Sequence, residues 1–203
     1  MNLWENFKLW KLHTAGDYAY FAAVLLAGAI FFVVWSRRIA RGRCDEAAAK
    51  RVRRKLSRLA RRGHVLNAAP WGLPGADLLL LCPGGAYAVR CIGWGMEVYG
   101  SLRSPTWRLK SSDEWRSIPN PLTQLAPAVE ELRRRMDAAG LNSVPVEPLV
   151  LFADPFGEPQ LYLEGEAQAI TLSGLKKWYR QLPAHADSAE ELMGSVTEGG
   201  HKQ

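Results

Sequence analysis

The chain has 203 residues and a net charge of +6, room for one domain of ordinary size plus appendages. The charge is uneven: between residues 37 and 62, twelve Lys and Arg stand against only Asp45 and Glu46, and the rest of the chain is net acidic. That excludes a generally basic protein and leaves a mildly acidic one with a basic band.

In chain order, Met1–Gly16 is short and amphipathic, with Trp4, Phe7, Leu9, Trp10 and Leu12 among Lys8 and Lys11, a composition suited to a membrane interface. Tyr18–Trp35 carries no charge. Eighteen helical residues span roughly 27 Å, close to the thickness of a hydrocarbon core. Tyr18, Tyr20 and Trp35 sit at its ends as an aromatic belt would. No small-residue cleavage site follows the run, so a retained transmembrane helix is expected in place of a signal peptide. Lys and Arg are denser after the span than before it, which places the C-terminal domain in the cytoplasm and the protein in the inner membrane.

The expected division is an extracytoplasmic tail at 1–17, a membrane helix at 18–36, a basic linker at 37–44, a domain at 45–182 and a disordered tail at 183–203. Within the domain, Ala49, Val52, Leu56 and Leu59 recur at helical spacing over Asp45–Arg62, and Gly63 stops that helix. His64–Ala69 reads as a first strand, with short strands at Trp107–Lys110 and Arg116–Ile118. Asn120 caps and Pro121 opens a helix to about Ala139, stopped by Gly140. Pro148–Ala153 and Gln160–Leu163 follow as strands, and Leu172–Gln181 as a last helix. Helices and strands mixed in this order specify α/β with a mixed sheet.

The densest stretch is Ala76–Gly100. Ala76–Cys82 is a nearly unbroken apolar run, Pro83–Gly85 a break, and Ala86–Ile92 the return strand; Gly93–Gly95 turns into Met96–Tyr99. With Gly84 and Gly85 as the loop, Asp77, Leu79, Leu81, Ala88, Arg90 and Ile92 share one face. Leu78, Leu80, Cys82, Tyr87, Val89 and Cys91 share the other. Arg90 then lies diagonal to Asp77, and a charge inside an apolar sheet calls for a partner.

These residues resemble the nuclease-related, or NERD, domain. Its core reads Gly, apolar residues, Glu-x-Lys, a Trp two residues on, then Tyr-Gly; Gly85, Trp94, Tyr99 and Gly100 match. Asp77 falls at the family's Asp before the hairpin, Glu46 at its early Glu, and Asn120, Pro121 and Gln124 at its Asn-Pro-x-x-Gln. The resemblance covers roughly Cys44 to Leu163. It implies a restriction-endonuclease-like fold, a mixed sheet flanked by helices, with Asp and Glu-x-Lys around Mg²⁺. Here Arg90 and Ile92 stand at the Glu and Lys positions. Arginine cannot ligate Mg²⁺, and isoleucine cannot orient a water. Glu46, Asp77, Arg90 and Ile92 therefore form a degenerate site, with no catalytic residue assigned and at most weak Mg²⁺ binding by Glu46 and Asp77.

The basic band has a membrane part, Arg37–Arg43, beside the span. The farther part supplies candidate contacts to DNA or RNA phosphates: Arg51, Arg54, Lys55, Arg58, Arg61 and Arg62. Trp94, Trp107, Trp115 and Trp178 are candidates for base stacking and, more commonly, for packing. Cys44, Cys82 and Cys91 make no metal spacing, the four histidines have no ligand spacing, and no phosphate-binding glycine loop is present. The expected function is a membrane-anchored, inactive NERD domain binding nucleic acid or a protein partner. The alternatives are an active nuclease that has relocated its acids to Glu97 or Glu114, and a structural subunit of a membrane complex.

Overall fold

The computed structural model describes residues 15–60, 63–165, 168–183 and Gly194. Most of the N-terminal amphipathic segment, Arg61, Arg62 and nearly all of the C-terminal tail lie outside those residues. The chain divides into two compact units, Met1–Arg41 and Gly42–Gln203.

Among its described residues the first unit holds the helix α1 (Ala15–Gly42), whose last residue is the first of the second unit. Its segment Tyr18–Arg37 is 20 residues long, apolar and unburied. At 1.5 Å per residue that is about 30 Å, long and apolar enough to cross a membrane.

The second unit opens with α2 (Asp45–Leu59), which buries Ala48, Val52 and Leu56, one residue per turn. Asp45 and Glu46 in its first turn complement the helix dipole. Strands β1 (His64–Asn67), β2 (Leu78–Cys82), β3 (Gly85–Ile92), β4 (Glu97–Ser101), β5 (Thr106–Ser111) and β6 (Glu114–Pro119) follow. Then come α3 (Pro121–Ala138), β7 (Val146–Phe152), β8 (Gln160–Glu164), β9 (Ala169–Thr171) and α4 (Leu175–Gln181).

The strands form two sheets where the sequence suggested one. The first has the order β1-β2-β3-β7-β9 and the second β6-β5-β4-β8. Gly93–Gly95 is therefore a crossing from one sheet to the other, and not a hairpin turn. Gly95 has φ +116, with Leu109 too close for a Cβ. Strand β9, only three residues long, was not expected.

The hairpin register also differs from the sequence reading. Cys82 pairs with Gly85, so Pro83 and Gly84 are the loop. The slip is two residues, which keeps every side chain on its expected face. Leu79, Leu81, Ala88 and Ile92 join α3 and the second sheet in one core. Leu78, Leu80, Tyr87, Val89 and Cys91 join α2 and α4 in the other. Cys82 and Cys91 are buried there, and no disulfide joins the three cysteines; burial pushes both thiols up.

Candidate functional site

The site grows from the end of the β2–β3 pairing. Asp77 immediately precedes β2 and donates its backbone N–H to Val89 O at 2.8 Å. Continuing the pairing of Leu78 with Val89 sets Asp77 directly opposite Arg90, closer than the diagonal the sequence suggested. Arg90 Nη1 donates to Asp77 Oδ1 at 3.2 Å, and Asp77 Oδ2 accepts the Cys91 N–H at 2.7 Å.

A second carboxylate completes the arrangement. Arg90 Nη2 donates to Asp45 Oδ2 at 3.4 Å, and Gly93 N–H donates to Asp45 Oδ1 at 3.1 Å. The guanidinium thus lies between two aspartates, and the Arg90 side chain is 28% exposed. Gly93 is required here because a Cβ would meet the Cys44 carbonyl at 2.5 Å; the chain entering α2 crosses it closely enough to present Asp45. Burial lifts the Asp77 carboxyl above its usual range; the Cys91 amide and Arg90 act against that shift, and Asp45 adds to it.

Glu46 does not join this cluster. It pairs with Lys50 at 2.9 Å, and its side chain is 79% exposed. Adjacent residues at the start of a helix point about 100° apart, so Asp45 turns inward while Glu46 turns outward. Ile92 is buried and lines a cavity of about 350 Å³ together with Arg43, Asp45, Arg90, Trp94, Arg116 and Gln124, among others. Arg116 lies over the Trp94 ring, 4.2 Å from its centroid. Arg43 donates to Ser111 Oγ at 3.0 Å and pairs with the buried Asp154 at 3.4 Å.

The family description that matches is nuclease-related domain, NERD, over residues 44–153, more than half of the chain. The chain belongs to the NERD family. No curated protein matches it, and no solved structure does.

Two further residues of the NERD core have structural tasks. Gly100 leaves room for Trp107, whose ring would meet a Cβ at 2.5 Å. Asn120 accepts the Leu122 N–H at the start of α3, and its amide donates to Leu102 O and Ser104 O at 3.1 and 2.8 Å. It thereby fixes the β4–β5 connection against α3. Gln124, one turn on, is carried to the cavity.

The Mg²⁺ implied by the nuclease resemblance does not suit these residues. A cation held by Asp77 and Asp45 would have to take the place of the Arg90 guanidinium, and Mg²⁺ takes oxygen ligands. The candidate substitute acids lie elsewhere. Glu97 accepts from Tyr99 and Lys110, at 2.5 and 3.4 Å, on the face of β4 turned from the core. Glu114 pairs with Arg116. Among the described residues no three of His, Cys, Asp and Glu gather as a metal site.

The basic side of α2 is divided. Arg51 donates to Gly42 O and Ala153 O, at 2.8 and 2.5 Å, and Lys55 to Leu172 O at 2.5 Å; both tie the fold together from inside. Arg54 and Arg58 are exposed. Of the candidate stacking residues, Trp107 is wholly buried and Trp178 packs edge-on against Tyr87. Trp94 is nearly buried under Arg116. Trp115 remains 46% exposed, beside Tyr99 with Arg108 over its ring. Arg43, Asp45 and Arg116 were not singled out as site residues from the sequence; the helical phase of Asp45 relative to Glu46 is set only by where α2 begins.

Proposed function

We propose that this chain is a membrane-tethered NERD domain that binds nucleic acid without cutting it. The observation that carries this is Arg90, whose guanidinium stands between Asp77 and Asp45 where a metal-dependent nuclease would need a cation. A fixed positive charge there satisfies both acids and supplies neither an activated water nor a Lewis acid. Binding draws on the exposed part of the α2 band, Arg54 and Arg58, because Lys and Arg along a helix neutralise phosphates.

The test uses the full-length protein in nanodiscs of zwitterionic lipid, with labelled single- and double-stranded DNA and RNA. Binding without cleavage is expected in Mg²⁺ and in Mn²⁺. Arg54→Glu with Arg58→Glu should weaken binding at least tenfold and flatten its salt dependence. Cleavage that disappears in Asp77→Ala would show an active nuclease. Failure to bind any nucleic acid would leave a protein partner in a membrane complex as the better reading.

The tether is α1, with the domain on the cytoplasmic side of the inner membrane, supported by the Arg-rich exit from the apolar run. A reporter fused after Gln203 should be active only in the cytoplasm; activity on the other side would reverse the orientation.

A further inference from the structure

We infer that the outer face of the second sheet receives the unpaired bases of a single strand on an aromatic row, Trp115, Tyr99 and Tyr162. This rests on the proposed function above, that the domain binds nucleic acid, and names the kind of nucleic acid. The sheet buries Val98, Trp107 and Leu109 in the core it shares with α3. Side chains alternate along a strand, and the pairing sets Tyr99 beside Arg108 and Tyr162, and Lys110 beside Trp115, on the opposite face. A solvated sheet face is normally polar. Three large aromatics gathered on it depart from that rule.

The rings form one continuous row across the sheet. Tyr99 stacks on Tyr162, with centroids 4.9 Å apart and planes within 11°. On its other side Trp115 reaches over β5 to within 5.6 Å of Tyr99. Cross-strand aromatic pairs stabilise a sheet by themselves. Here, though, the contacts leave the two ends of the row open: Trp115 is 46% and Tyr162 50% exposed. The rings are also held in place. The Tyr99 hydroxyl donates to Glu97 and the Tyr162 hydroxyl to Gln160, both at 2.5 Å, and Arg108 lies over the Trp115 ring, 4.7 Å from its centroid. Side chains fixed in advance lose little freedom when a ligand covers them. A four-stranded sheet with aromatics on its open face has room for two or three unstacked bases.

The charges of this face make the base, and not the phosphate, the recognised group. Lys110 is held by Glu97 at 3.4 Å, and Glu164 stands opposite Ser101 at the end of β8. Arg108 is the cation of the face that no carboxylate holds among the described residues; its contact is the Trp115 ring. It suits one phosphate between two stacked bases. Stacking on the rings then supplies the preference, and it tolerates any base, while general attraction to phosphates comes from Arg54 and Arg58 of α2. A duplex keeps its bases stacked inside, out of reach of a flat row of rings. An unpaired strand, whose bases can splay out, is the form that fits.

The test is fluorescence anisotropy of three labelled ligands with the full-length protein in nanodiscs of zwitterionic lipid. The ligands are decathymidylate, an abasic decamer with the same phosphates, and a ten-base-pair duplex. Stacking is worth roughly fivefold or more per base, so decathymidylate is expected to bind at least about tenfold tighter than either of the others. Trp115→Ala with Tyr162→Ala should bring its advantage over the abasic strand close to one, with a thermal melt checking that the variant folds. Tyr162→Ala alone, at an exposed side chain of the edge strand, should lower the advantage about fivefold, and Tyr162→Phe should keep it. Arg108→Gln should reduce the salt slope of decathymidylate binding by about 0.7, the share of one phosphate on a single strand. Arg54→Glu with Arg58→Glu should weaken all three ligands and leave the advantage in place. Equal binding of the three ligands overturns the inference and leaves the proposed function standing, as does an advantage that survives undiminished in Tyr162→Ala and in the double variant. Binding of none of them removes both. Mg²⁺-dependent cutting would remove the proposed function, while the abasic comparison in EDTA would still decide the aromatic row.

Discussion

Replacing Arg90 by alanine is expected to destabilise the domain by about 3 kcal/mol, the lower end of the cost of orphaning a buried ion-pair partner. The lower end applies because the Arg90 side chain is 28% exposed. The substitution leaves Asp77 and Asp45 facing each other without a cation, and burial already disfavours the ionised Asp77. For a chain of this size the loss corresponds to roughly 6–12 °C in melting temperature. Asp77→Asn in the Arg90→Ala background should recover part of it, because the acid left behind is then removed. The two single changes should therefore be non-additive in a double-mutant cycle. Additive losses in denaturation of the full chain would mean that Arg90 acts only through packing.

The second large effect is a gain. Arg90→Glu with Ile92→Lys places a third carboxylate opposite Asp77 and beside Asp45, and adds the Lys that the proposed reading takes to be absent from the site. Without metal this variant should be less stable than Arg90→Ala, since three acids crowd one strand end. With Mn²⁺ it should recover, because an ion that binds only the folded state stabilises it by about 2.7 kcal/mol at a hundredfold excess over its dissociation constant. The native chain should show no such response. Thermal melts with Mn²⁺ and then with EDTA measure both. A variant that melts at the same temperature in Mn²⁺ and in EDTA would show that the backbone around Asp77 no longer holds an ion-binding shape. The proposed loss of metal binding would then rest on more than the two substituted side chains.

The sequence made the α/β class, most of the elements and both faces of the hairpin legible, because apolar alternation survives any even slip in register. It misplaced the turn because a Gly-Gly pair advertises positive φ. Of the two, only Gly85 has a positive φ, +130, and it sits at the start of β3 and not in the loop; both glycines are also closely approached. A Cβ on Gly85 would meet the Pro145 carbonyl at 2.5 Å, and one on Gly84 would meet Leu182 at 2.8 Å. Close approach from remote parts of the chain leaves no local signature. The same holds for the second sheet. Gly93–Gly95 reads as a turn whichever sheet the next strand joins, and the choice is made by the parallel pairing of β4 with β8, some sixty residues on. At the site, Asp77 and Arg90 were legible because they break an apolar pattern. Asp45 was not, since it stands beside another acid in a charged helix, and only the start of α2 decides which of the two faces inward. Arg51 and Lys55 looked like members of a solvated basic band. Their bonds to carbonyls of Ala153 and Leu172 come from segments far along the chain.

Strand β3 lies between β2, its hairpin partner, and β7, its parallel partner. The first pairing is made across two loop residues; the second joins Ala86 to Val146. At about 5–20 residues per second on a ribosome, the chain between Ile92 and Val146 takes roughly 3–10 s to synthesise. For that interval β2 and β3 are complete while the far edge of β3, with its apolar side chains on both faces, has no strand to receive. An open apolar edge is where unrelated chains add on. Arg90, charged and near the end of that edge, is the one residue of β3 that marks it against a wrong neighbour during the wait.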